Sequence, residues 1–148
     1  MRVGFILLVS LLVHGFSIVE ESTYPERERS AFQLIIEGID EESGEIRIAM
    51  FDSKEAYDEK EDPIHAVVLE VDDTTLEWND DDLPYGNYAI AVYHDKNTNG
   101  ELDTNLLGIP KEAYGFSNNA RGRFGPASWS DAHFKINSAQ SEMVVEIK

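Results

Sequence analysis

Short runs of apolar alternation, separated by turn residues, recur from residue 32 to the end of the chain. They constrain its fold more than any other feature. Phe32, Leu34 and Ile36 alternate with Gln33, Ile35 and Glu37. The same period of two returns at Ile46, Ile48 and Met50, at Val67, Leu69 and Val71, and at Leu76 and Trp78. It returns again at Tyr88, Ile90 and Val92, at Phe134 and Ile136, and at Met143, Val145 and Ile147. Alternation places each set on one face of an extended strand. Gly38 to Gly44, Asp72 with Asp73, Pro84 with Gly86, and Asn137 with Ser138 supply the turns. About seven strands at this spacing predict an all-β fold, an antiparallel β-sandwich of prealbumin-like or immunoglobulin-like type. Residues 52–62 (DSKEAYDEKED) break the rhythm. They hold helix formers, a capping box of Asp52 with Glu55, and Pro63 beyond, which predicts one short surface helix. Residues 104–131 lack alternation and are rich in Gly, Asn and Pro. A loop this long in a compact domain is functional or contains hidden structure.

The N-terminus follows a different rule. Arg2 precedes a nearly continuous apolar run, VGFILLVSLLVHGFSIV, and Glu20 and Glu21 follow it. This pattern predicts a secretory signal peptide over residues 1–17, with small residues Gly15 and Ser17 ahead of the cleavage point. The run is short for a membrane span and is interrupted by His14 and Gly15, so no stable span is expected after cleavage. Residues 18–30 read as a polar linker and 31–148 as the sandwich domain, secreted or periplasmic. There is no Cys, so the core forms without disulfides and a lipoprotein anchor is excluded. The chain holds 12 basic and 29 acidic residues, for a formal charge of −17. Loss of Arg2 with the leader takes −17 to −18. Such a surface repels nucleic acid and anionic membranes and favours solubility and cations.

One stretch has the pattern of a cation loop: HDKNTNGELDTN, residues 94–105. Asp95, Asn97 and Asn99 fall on alternate positions, and Gly100 permits a sharp turn at the sixth. Glu101 would offer its carbonyl at the seventh position, and Asp103 its carboxylate at the ninth. Oxygen ligands at these offsets predict calcium. Position twelve is Leu106, where a helix-loop-helix site has a bidentate Glu, so this is not an EF-hand and weak binding is expected. A downstream carboxylate such as Asp131 could complete the shell. The competing reading is a polar turn, since Asn and Asp hydrogen-bond their own backbone and Asn-Gly favours hairpins.

A second constellation is YGFSNNARGRFGP, residues 114–126. Asn118, Asn119, Arg121 and Arg123 could read a carboxylate, a phosphate or a sugar, with Tyr114, Phe116, Phe124 and Trp129 as apolar walls. The competing reading places the aromatics in the core and the arginines on nearby carboxylates. Catalytic signals are weak. His65, His94 and His133 lack zinc-site spacing, and Ser117 in GFSNN is not a nucleophile elbow.

The stretches GEIRIAMFDSKEAY and LPYGNYAIAVYHDKNTNGELDTNLLGIPKEAYGFSNNARGRFGPASWSDAHF resemble the bacterial family called domain of unknown function 2141, over residues 32–148. Ala113 stands where that family often has Gly. The resemblance implies an exported bacterial β-rich domain and supplies no activity. Leu83, Pro84, Gly86 and Tyr88 are also similar to the strand opening of transthyretin-like and carboxypeptidase-regulatory-like sandwiches, which bears on fold only. The expected function is a calcium-stabilised binding or interaction module rather than an enzyme. Its partner would be a small polar ligand or an envelope or extracellular protein. A carbohydrate-binding protein using residues 118–123 and an envelope-polymer hydrolase are the alternatives.

Overall fold

The computed structural model describes residues 28–148. The expected leader and most of the expected linker lie outside the described residues. Eight strands form two sheets, the all-β sandwich that the alternation predicts. They are β1 (Arg29–Glu37), β2 (Glu45–Phe51), β3 (His65–Glu70), β4 (Leu76–Pro84), β5 (Gly86–Asp95), β6 (Tyr114–Phe116), β7 (Phe134–Ile136) and β8 (Gln140–Glu146). One sheet has the order β4-β1-β8 and the other β3-β2-β5-β6, with β7 on the same side of β5 as β6. All pairings are antiparallel except β1 with β8, which run parallel. The first strand opens at Arg29, inside the stretch expected as linker.

The core lies between the sheets. Phe32, Leu34 and Ile36 meet Ile46, Ile48, Met50, Ile90 and Val92, and Val145 and Ile147 close one side. These are the residues that alternation placed on inner faces. The outer face of the five-stranded sheet is also partly covered. There Phe51, Ala89 and Phe116 form a second apolar cluster with Tyr57, Ala127 and Ala132.

Two short helices provide that cover. The expected helix over 52–62 is shorter, α1 (Lys54–Glu59), and its N-cap is Ser53 rather than Asp52. The Ser53 hydroxyl accepts from the Ala56 N–H, so the box of Asp52 and Glu55 does not form. The helix ends at Lys60, in left-handed conformation (φ 58°), before Pro63. A second helix, α2 (Trp129–Ala132), was not expected, because four residues carry no readable period. Tyr57 ties the two helices together. Its hydroxyl donates to the Ala127 carbonyl at 2.9 Å, and burial pushes its pKa up to about 12.

Candidate functional site

Beyond the helices, the outer face of the five-stranded sheet forms an open trough. Register explains its shape. Ala66, Ala49, Ala91 and Phe116 are direct neighbours across β3, β2, β5 and β6. The next row on the same face is Val68, Arg47, Tyr93 and Tyr114. Three alanines between rows of larger side chains leave a groove of about 540 Å³ running across the strands. A second lobe of about 580 Å³ lies where residues 102–110 and 122–126 approach each other, and Leu102, Tyr114, Phe116 and Pro126 line both. At its mouth Leu107, Ile109 and Phe124 are 84%, 55% and 101% exposed.

The loop of residues 95–103 follows β5 and gives Leu102 to the walls of both lobes. Asp95 ends β5 fully buried. Its Oδ1 accepts from the Asn99 N–H, and its Oδ2 from the Gly100 N–H and from Arg47 Nε, at 3.1, 2.8 and 2.8 Å. Burial alone would raise its pKa. The N–H groups of Gly100 and Asn99 and the Arg47 guanidinium outweigh that and hold it below the usual carboxylate value. Asn97 Oδ1 accepts from the Asn99 N–H, and Asn99 Oδ1 from the Glu101 N–H. Gly100 has φ +85°, and its carbonyl accepts from the Tyr93 hydroxyl. The alternating oxygens expected as ligands therefore curl the backbone in successive Asx turns. The Asn97 and Asn99 amides donate to the two oxygens of Asp103, at 2.7 and 3.2 Å. Among the described residues no group of three or more His, Asp or Glu side chains converges as a cation site would. A cation here would rely on the Asn oxygens and the Glu101 carbonyl as well as Asp95 and Asp103.

Closing this loop is Glu112, which sequence reasoning missed. It is only 7% exposed. Its two carboxylate oxygens accept from the Lys96 and Asp103 N–H groups, both at 2.9 Å, and so clamp both ends of the loop. Asp131, the expected completing carboxylate, lies in α2 and accepts from Ser128. His94, also buried, directs Nε2 to the Ser43 carbonyl at 2.7 Å, while Nδ1 stands 3.9 Å from Asp40 without a hydrogen bond.

The Asn/Arg segment is divided. Asn118 (φ 59°) donates to the carbonyls of Asp131, Ala132 and His133, the end of α2. Asn119 Oδ1 accepts from the Glu146 N–H at 2.8 Å, and its amide faces the Val144 carbonyl at 3.4 Å, so the side chain acts as a partner strand for β8. Arg121 donates to the Tyr114 and Glu146 carbonyls and lies over the Tyr114 ring. Of these three side chains, expected as ligand contacts, Asn118 holds the end of α2 while Asn119 and Arg121 hold the edges of β8 and β6. Arg123 is exposed, lines the second lobe, and makes no hydrogen bond or ion pair among the described residues.

Among the curated proteins and solved structures compared, none matches the chain. A family model does match, over residues 35–144, from β1 into β8 and across both the Asp95 loop and the Asn/Arg segment. The chain therefore belongs to the family described as an uncharacterized protein conserved in bacteria, DUF2141.

Proposed function

We propose that the chain is an exported binding module whose ligand lies in the apolar groove across β3, β2, β5 and β6. One observation carries this reading. Among the described residues no Asp or Glu lines either lobe of the groove, in a chain where 29 of 148 residues are acidic. Concave, mainly apolar cavities of a few hundred Å³ are the usual form of small-ligand sites. Export rests on the leader at residues 1–17, and the mass of the exported form, beginning at Ile18, checks it.

The groove is tested with the neutral dye Nile red. Saturable fluorescence enhancement is expected, together with its loss in Ala49→Trp, which fills the trough from its floor. Tryptophan suits a strand position, so the variant is expected to fold. Absence of saturable enhancement in folded wild-type protein sinks the reading.

Calcium has a supporting place in this proposal. The side-chain oxygens at Asp95, Asn97 and Asn99 already turn in the sense an oxygen-ligand loop needs. An ion would take over from the two amides that now hold Asp103. It would steady the loop that carries Leu102, a wall of both lobes.

A further inference from the structure

We propose that the groove takes a free long-chain carboxylate, its chain along the trough and its head at Arg123. This rests on the binding reading above and names the ligand class. Three observations converge on it.

The first is shape. The trough crosses four neighbouring strands, about 14 Å at the usual spacing, and continues into the second lobe. An elongated, mainly apolar channel of this length suits a single chain. A compact ring system would leave much of its length unfilled.

The second is charge. Among the described residues the groove walls carry Arg47, Lys60 and Arg123 and no carboxylate. Arg47 is neutralised by Asp95 and Glu45, each at 2.8 Å. Lys60 lies 3.7 Å from the Tyr57 ring centroid and donates to the Tyr57 carbonyl. Among the described residues Arg123 is the cation of the groove without a hydrogen-bond or ion-pair partner. The bias extends along the chain. Between residues 104 and 130 the only acid is Glu112, and it is buried on backbone N–H groups. A cationic head would gain from the net charge of −17 anywhere on the surface. Only an anionic head needs a locally cleared site. Screening over about 8 Å at physiological ionic strength lets such a site act against the distant charge.

The third is the mouth. Leu107, Ile109 and Phe124 flank the lobe that holds Arg123 while largely in solvent. An alkyl chain between them removes apolar surface that the free protein leaves exposed.

Titration calorimetry of the whole protein with twelve-carbon amphiphiles below their micelle concentrations tests the inference. Dodecanoate is expected to bind at one site, more tightly than dodecyl maltoside and than dodecylammonium. Arg123→Gln, an exposed substitution that leaves folding intact, is expected to weaken dodecanoate about fivefold and to leave dodecyl maltoside unchanged. Ala49→Trp is expected to abolish both. Equal or tighter binding of dodecyl maltoside or dodecylammonium overturns the ligand class while the groove stands. So does an Arg123→Gln variant that binds dodecanoate like wild type. Binding to phosphatidylglycerol vesicles without binding of dodecanoate overturns the free carboxylate in favour of a membrane surface. No binding of any chain removes the groove reading itself.

Discussion

Replacing Glu112 by Ala tests whether the loop is held as the geometry indicates. In the folded protein its carboxylate accepts two main-chain N–H groups at 2.9 Å while only 7% exposed. A hydrogen bond to a charged acceptor is worth about 1.5–3 kcal/mol, and water can reach part of the vacated space. The double loss therefore comes to about 3 kcal/mol. For a domain of about 120 residues the unfolding entropy is about 0.25 kcal/mol/K, so the melting midpoint should fall by about 12 °C. Glu112→Gln keeps the size and one acceptor oxygen but sets an amide donor against a backbone donor. It should cost about 2 kcal/mol, or about 8 °C. Calorimetric melting gives the order wild type, Gln, Ala. Amide exchange separates local from global effects. The Lys96 and Asp103 amides should exchange faster in both variants by more than the global loss accounts for. The amide of Leu34, in the middle of β1, should follow the global loss alone. A midpoint for Glu112→Ala within about 3 °C of wild type refutes the clamp. So do Lys96 and Asp103 amides that merely track Leu34.

Asp95 should impose a particular acid sensitivity. Its folded pKa is held below the usual value, so its contribution is complete above about pH 4 and is lost as pH falls through the lowered folded pKa. Asp95→Asn should therefore be less stable than wild type at pH 7, with the gap narrowing below about pH 4; a gap constant to pH 2 contradicts the linkage. Calcium at 10 mM, acting on a site of about 1 mM affinity, should stabilise by about 1.4 kcal/mol, or about 6 °C. Chelator should reverse the shift and Asp103→Ala should remove it, while no shift at that concentration removes the metal.

The sandwich was legible because burial on one sheet face imposes the period directly. Every inner position of β1, β2 and β5 that alternation marked is buried. The parallel pairing of β1 with β8 was not legible, since period two is the same in either direction. Nor was the acidic end of β4. Alternation marked only Leu76 and Trp78 there, yet Asn79, Asp80, Asp81 and Asp82 continue the same strand alongside β1. Among the described residues that strand is a sheet edge; Asp80 turns in to His65 at 2.9 Å, while the exposed carboxylates of Asp81 and Asp82 keep the edge from pairing with other chains.

The site was harder to read because the residues that bind ligands also repair backbone. Asn118, Asn119 and Arg121 are rich in donors and lie where the chain leaves a sheet, which makes them ligand candidates in sequence. In the fold the unpaired groups nearest to them are the end of α2 and the open edge of β8, and they satisfy those first. Arg123 has no such neighbour, and that difference is three-dimensional. Glu112 was hidden for the opposite reason: among 29 acids nothing in its local sequence marks one as buried. What the sequence did carry was a depletion, a long segment nearly free of carboxylates in a chain one-fifth acidic. Solubility favours acids on any exposed loop, so a loop that excludes them while presenting Leu107, Ile109 and Phe124 to solvent departs from that preference. The departure falls on the walls of one groove, and this coincidence is what an apolar ligand with an anionic head would require.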